Sequence, residues 1–224
     1  MEFFNTDVVR EYGGALLHGL LLTVILTFIV ITLALVLAIP VALCRLSPYR
    51  AVRGVVSLYV EVIRGTPLLL QLVYIYYVLP AMGINLNAFV AAVLGLTLNY
   101  TAYMSEVYRG GILAVPRNQW EAAATIGLSR ARAFQRIILP QALRIVTPTL
   151  GNYFISLFKD TALASVVTVQ ELTFTGQIIS ARTYQYFTIY TATGLLYLSV
   201  GYPAALFVRW LEQRTQRGYR ARPS

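Results

Sequence analysis

Lys159-Asp160 is a charged pair about 14 residues, or roughly 21 Å, into an otherwise apolar run read as helix. Ionised groups inside a bilayer are costly and usually functional. Arg64 is a second such group, about nine residues, or roughly 14 Å, into another apolar run, near its middle. Glu61 precedes it by one turn, and Glu106 lies near the end of a third run. Asn152, Ser156 and Lys159 follow i, i+4, i+7 spacing, so a helix puts them on one face with Asp160 beside it. Asn99, Tyr103 and Glu106 make a second polar stripe. Such stripes must face protein or a water-filled cavity, not lipid. Gly65 and Pro67 weaken the helix beside Arg64, and broken helices at mid-membrane expose backbone dipoles that bind solutes. A zwitterion needs a cation or donors for its carboxylate and an anion or acceptors for its amine. Arg64, Lys159 and Asp160 could supply both. They could equally pair among themselves: Arg64 with Glu61, Glu106 with Arg109, Lys159 with Asp160 or with a partner subunit.

The elements that must position these groups are long apolar runs. The chain has 224 residues, 58% of them hydrophobic and 12% charged, about half the charge of a soluble protein. Several runs reach the ~20 residues needed to cross a bilayer. The fold class is therefore an all-α membrane protein, with residues 1–224 as a single domain. Five transmembrane helices are expected, at about 15–43, 55–79 (interrupted at Arg64-Gly65-Thr66-Pro67), 88–108, 145–169 and 187–208. A polar loop, 109–144, separates the third from the fourth.

Positive charge is sorted by side. Arg45, Arg50 and Arg53 follow the first span. Arg109, Arg117, Arg130, Arg132, Arg136 and Arg144 fall in the long loop, and Arg209, Arg214, Arg217, Arg220 and Arg222 follow the last span. The opposite side has Arg10 and Arg182. The positive-inside rule makes the arginine-rich segments cytoplasmic, with the N-terminus outside and the C-terminus inside. The net charge of +9 is thus a topology signal; no basic stripe with interleaved aromatics speaks for nucleic acid. The N-terminus lacks the basic start of a cleaved signal peptide, so the first span is expected to stay.

Other chemistry is excluded by what the residues lack. Lys159 has no Gly-x-x-x-x-Gly-Lys context, so no P-loop is present. The single histidine, His18, cannot anchor a metal cluster, and the single cysteine, Cys44, allows no intramolecular disulfide. The chain is not an enzyme alone and implies no cofactor of its own.

The loop has local order. After Pro116, Asn118 and Glu121 have the spacing of a capping box. Ala122, Ala123 and Ala124 favour helix with little bulk, and Gly127 suits a C-terminal cap. Ser129 can cap a second short helix, Arg130 to Ile138, ended by Pro140. An alanine-covered helix offers close approach to another protein; by physics alone it could also lie as a hairpin on the membrane.

Glu121-Ala122-Ala123, Gly127 and Ile138-Leu139-Pro140 resemble the EAA loop of ABC-transporter permeases. Three further segments resemble the amino-acid importer branch: Arg64-Gly65-Thr66-Pro67 with Leu68 to Leu72, Ser105 to Gly111, and Phe158-Lys159-Asp160-Thr161. The resemblance covers residues 15–212. It implies that Glu121, Ala122, Ala123 and Gly127 form a coupling helix gripped by an ATP-binding subunit. It also implies a second permease subunit, an extracytoplasmic solute-binding protein and a bacterial inner-membrane location. Arg64, Asn99, Asn152, Ser156, Lys159 and Asp160 become the candidate pathway residues. Tyr153 follows Gly151-Asn152 where many relatives have a Gly-Asn-Glu pattern, which bears on substrate charge preference. The solute class is a polar amino acid or an amino-acid-like solute, ectoine-type compatible solutes included. The rival reading is an ATP-independent gated channel or membrane scaffold.

Overall fold

A computed structural model describes residues 4–217, and no strand occurs among them. Helix α1, Thr6–Arg45, starts where the Asn5 side chain accepts the N–H groups of Asp7 and Val8, satisfying two orphan donors of the first turn. Helix α2 spans Arg50–Gly65 and α3 spans Leu68–Val73; α3 runs on through a wide turn, Tyr74–Val78, and a tight one, Leu79–Met82. Helix α4 is Ala88–Ala114, α5 is Arg117–Thr125 and α6 is Arg130–Ala133. A wide turn over Phe134–Ile138 joins α6 to α7, Leu139–Asp160. A 3₁₀ turn, Thr161–Val167, leads to α8, Leu172–Thr183, and α9, Tyr186–Arg217.

The main core is a seam of residues four apart on two helices. Leu26, Val30, Ala34, Ala38 and Ala42 of α1 share one buried cluster with Ala92, Leu96, Tyr100, Met104 and Tyr108 of α4. Alanine on α1 lets the backbones approach, as packing in lipid requires. Leu72 of α3 closes on Gly95, where an added Cβ would lie 2.7 Å from its Cδ2. A second cluster ties Leu16 of α1 to Leu172 and Ile179 of α8 and to Ile189 and Ala192 of α9. Outward, α9 exposes Leu195, Leu198, Tyr202, Leu206 and Phe207, an apolar face suited to lipid.

Three helices, α1, α4 and α9, are each long and apolar enough to cross a membrane, and the number reaches five if each bent pair is one span. The bends change the expected elements. The interrupted run at 55–79 is two helices meeting at 106°. The 145–169 run begins earlier: the helix passes through Pro140, which sits in the first turn of α7, where a missing N–H costs nothing. The Ser129 side chain makes no cap bond. The expected capping box does not form either, since α5 starts at Arg117 with Pro116 in the cap position and Asn118 already inside the helix. The segment 170–186, read as a loop, contains α8.

Candidate functional site

The break between α2 and α3 follows from two residues. Pro67 offers no N–H and pushes Thr66 into extended backbone (φ −117°, ψ 144°). The freed carbonyls are taken by two side chains, Thr66 Oγ1 donating to the Val62 carbonyl at 2.9 Å and Gln71 taking the others. Gln71 Nε2 donates to the Ile63 carbonyl at 2.8 Å, the Thr66 carbonyl at 3.1 Å and Thr66 Oγ1 at 2.8 Å. Its Oε1 accepts from Asn99 Nδ2 on α4 at 3.0 Å. Asn99 thus fixes the break to the central helix.

A cavity of about 460 Å³ opens at this break. Arg64 through Leu68 form one wall, Asn99, Tyr100 and Tyr103 of α4 the second, and Tyr153, Ser156 and Asp160 of α7 the third. The charges are separated. Asp160 Oδ2 accepts from the Tyr100 hydroxyl at 2.7 Å. The Arg64 guanidinium lies 5.2 Å from the centre of the Tyr103 ring; its one ion pair among the described residues is with Glu106, at 3.9 Å. Tyr153 sits between them, 6.1 Å from both Tyr100 and Tyr103. An anionic acceptor, a cation and an aromatic collar therefore surround one space, the pattern a zwitterion can fill.

Behind Arg64, Glu106 gathers cations from three helices. It bonds Arg45 of α1 and takes both Nε (3.0 Å) and Nη2 (2.9 Å) of Arg109, with Arg64 the most distant arm.

A second concavity, about 490 Å³, lies on α5 and α6, lined by Arg117, Trp120, Ala124, Leu128, Arg130 and Ala133. Gly127 takes φ +75°, which glycine adopts freely. The Leu128 N–H reaches the Ala123 carbonyl (3.1 Å) and the Gly127 N–H the Ala124 carbonyl (2.9 Å), a Schellman cap. Trp120, packed with Val115, Ile138 and Ala142, fixes α5 to α7.

The sequence profile described as "Binding-protein-dependent transport system inner membrane component" matches residues 31–217. The chain belongs to this family. It is 42% identical over 213 residues to the L-cystine transport system permease protein TcyB of Bacillus subtilis, covering 94% of this chain and 91% of that one. It is 33% identical to the probable glutamine ABC transporter permease protein GlnM of the same organism, covering 96% of this chain and all of the other. Among solved structures, one titled "Crystal structure of an amino acid ABC transporter with histidines" matches with a TM-score of 0.87 at 37% identity, over 92% and 96% of the two chains. The chain is thus an amino-acid ABC transporter permease, a multi-pass inner-membrane subunit and a transport component rather than an enzyme.

In this permease four of the sequence-predicted pathway residues, Arg64, Asn99, Ser156 and Asp160, meet at one cavity. Two do not. Asn152 is exposed and donates to Glu212 of α9 at 3.3 Å. Lys159 is exposed and lines none of the cavity. The expected face, 152-156-159, is one helical step from the one that turns inward, 153-156-160. The predicted pairing of Arg64 with Glu61 is replaced by Glu106, whereas the Glu106–Arg109 pair forms as expected. On the loop, Glu121 is exposed and pairs with Arg117 at 3.7 Å, and Ala122 and Gly127 are exposed. Ala123 is fully buried and holds the helix down, so it is not part of a docking face.

Sequence reasoning missed Gln71, Tyr100 and Glu171. A glutamine inside the run Leu68–Tyr77 was the available signal for the first. Glu171 is fully buried. It accepts the N–H groups of Thr173 (2.8 Å) and Phe174 (2.7 Å) and the Tyr197 hydroxyl (2.8 Å), capping α8.

Proposed function

We propose that this permease forms half of the translocation pathway of an ATP-driven importer for a polar amino acid. The observation that carries the reading is the separated pair, Arg64 and Asp160, facing one cavity without contacting each other. Arg64 receives the solute carboxylate, the Asp160 carboxylate with the Tyr100 hydroxyl receives the amine, and the tyrosines cover the side chain. The relatives named for L-cystine and glutamine support a polar, zwitterionic solute. Five spans, an outside N-terminus and a cytoplasmic α5 follow from the sorted arginines. In this reading α5 seats in a partner ATP-binding subunit through Glu121, Ala122 and the Gly127 turn. A solute-binding protein delivers from the other side.

Two measurements test this. ATP-dependent uptake of labelled cystine and glutamine by the reconstituted complex should fall at least about tenfold with Asp160→Asn, since a hydrogen bond to a charged group contributes roughly 1.5–3 kcal/mol. Assembly should be unchanged; unaltered uptake kinetics would rule out the amine contact. Gly127→Trp and Glu121→Lys should abolish co-purification with the ATPase. Full ATP-driven uptake by those variants would instead favour the channel or scaffold reading.

A further inference from the structure

The charges around the cavity do not balance. Among the described residues two ionised groups line it, Arg64 and Asp160. Behind Arg64, three guanidinium groups, those of Arg45, Arg64 and Arg109, share the single carboxylate of Glu106. Two positive charges are left over, and Asp160 offsets one of them. The other polar groups of the walls, Asn99, Ser156 and the tyrosines, are neutral. Glu61 and Lys159, one of each sign, line none of the space and leave the balance as it is.

The backbone groups of an amino acid do not remove this excess. On the importer reading above, a carboxylate at Arg64 and an ammonium at Asp160 add one charge of each sign. Asp160 is the sole carboxylate among the lining residues, and it already accepts the Tyr100 hydroxyl. A charge on the solute side chain therefore meets no free anion. A cation there is left unpaired and adds to a positive excess, and both effects are costly at close range inside a protein. An anion there reduces the excess. For an uncharged side chain the walls offer hydroxyls. Those of Tyr103, Tyr153 and Ser156 have no hydrogen-bond partner among the described residues. A hydroxyl donates to an amide carbonyl or a carboxylate, but it cannot neutralise an ammonium or a guanidinium. Tyr153 holds the middle position, its ring 6.1 Å from both Tyr100 and Tyr103.

We infer that this cavity accepts amino acids with acidic or uncharged polar side chains and excludes those with cationic ones, and that Tyr153 is the specificity-determining residue. The inference rests on the importer reading and narrows its solute class. Selection then works by leaving the wrong side chain's charge without a partner, not by adding contacts to the right one.

Equilibrium binding of labelled solutes to the permease–ATPase complex in lipid nanodiscs tests this. The solute-binding protein is left out, because it applies a selection of its own. Glutamate should bind at least as well as glutamine, to within about threefold. Lysine should bind at least about tenfold more weakly than glutamine, the penalty of one unpaired like charge. Tyr153→Glu places a carboxylate on the third wall and should bring lysine to within about threefold of glutamine. Tyr153→Gln removes the phenol without adding charge and should leave lysine excluded. The unmodified complex alone decides the charge rule, so the inference stands or falls even where a variant does not assemble. Lysine bound as tightly as glutamine, or glutamate excluded as strongly as lysine, overturns it. A Tyr153→Glu complex that still excludes lysine, or a Tyr153→Gln complex that admits it, overturns the role of Tyr153. A complex that imports glutamine with its binding protein yet binds none of the three solutes without it overturns the inference and leaves the importer reading standing. A complex that imports no amino acid at all removes both.

Discussion

The two bends in the bundle are built in opposite ways. Between α2 and α3 the chain turns by 106° at Gly65-Thr66-Pro67, an exposed stretch held by the side chains of Thr66 and Gln71. Between α7 and α8 it turns by 51°, and there the joint is sealed. Glu171 is fully buried with three protein donors, and the Leu172 N–H donates to Thr23 Oγ1 of α1 at 3.1 Å. Close packing reinforces this: a Cβ on Gly19 would lie 2.8 Å from Thr175 Oγ1. The cavity lies at the loose bend, against the start of the sealed one at Asp160. The break that borders the cavity is exposed and held mainly by its own side chains, whereas the other is buried among neighbouring helices and serves as a structural corner.

That contrast can be broken by experiment. The largest effect is expected from Glu171→Ala, which strands the Thr173 and Phe174 N–H groups in a buried place and leaves the Tyr197 hydroxyl only Thr173 Oγ1 as partner. Unfolding in detergent should show a loss of about 3 kcal/mol, given 1–3 kcal/mol for each unsatisfied buried group with partial relaxation. An unchanged unfolding curve would erase the difference between the bends. Gln71→Ala should cost stability only about 1 kcal/mol, since water reaches the exposed carbonyls. Its effect on uptake should be greater than its effect on stability, and the reverse ranking would make the first bend structural too. The smallest effect concerns Thr168, a β-branched residue at φ +63° between the 3₁₀ turn and α8. Relief of left-handed strain of 1–2 kcal/mol is partly offset by glycine's added chain entropy, so Thr168→Gly should raise stability by at most about 1 kcal/mol. A decrease would show that the Thr168 side chain itself holds the sealed corner.

Apolar periodicity reported the long helices well, because burial against lipid or core is written in each run. Helix α8 escaped because its twelve residues carry no long apolar run, and its cap is a carboxylate that only the folded bundle buries. The site was legible as far as residue type goes: charges and amides in apolar helices marked Arg64, Asn99, Ser156 and Asp160. Spacing told which residues share a face but not which face turns inward. Ser156 belongs to both the 152-159 and the 153-160 stripes, so the sequence could not choose, and packing on Tyr100 and Tyr103 did. Gln71 was hidden for a related reason: it answers a break whose geometry exists only in three dimensions. Ala123 was legible as helix former and close neighbour, but its neighbour is the protein's own α5–α7 joint.

The three-armed carboxylate at Glu106 has one further consequence. Arg45 and Arg109 hold it at hydrogen-bonding range, while Arg64 stands off at 3.9 Å. A solute carboxylate arriving beside Arg64 would therefore swap one anion for another on the same guanidinium. Glu106 would keep its two nearer cations, so loading and release would proceed as an exchange of counter-ions, with no bare charge created at either step.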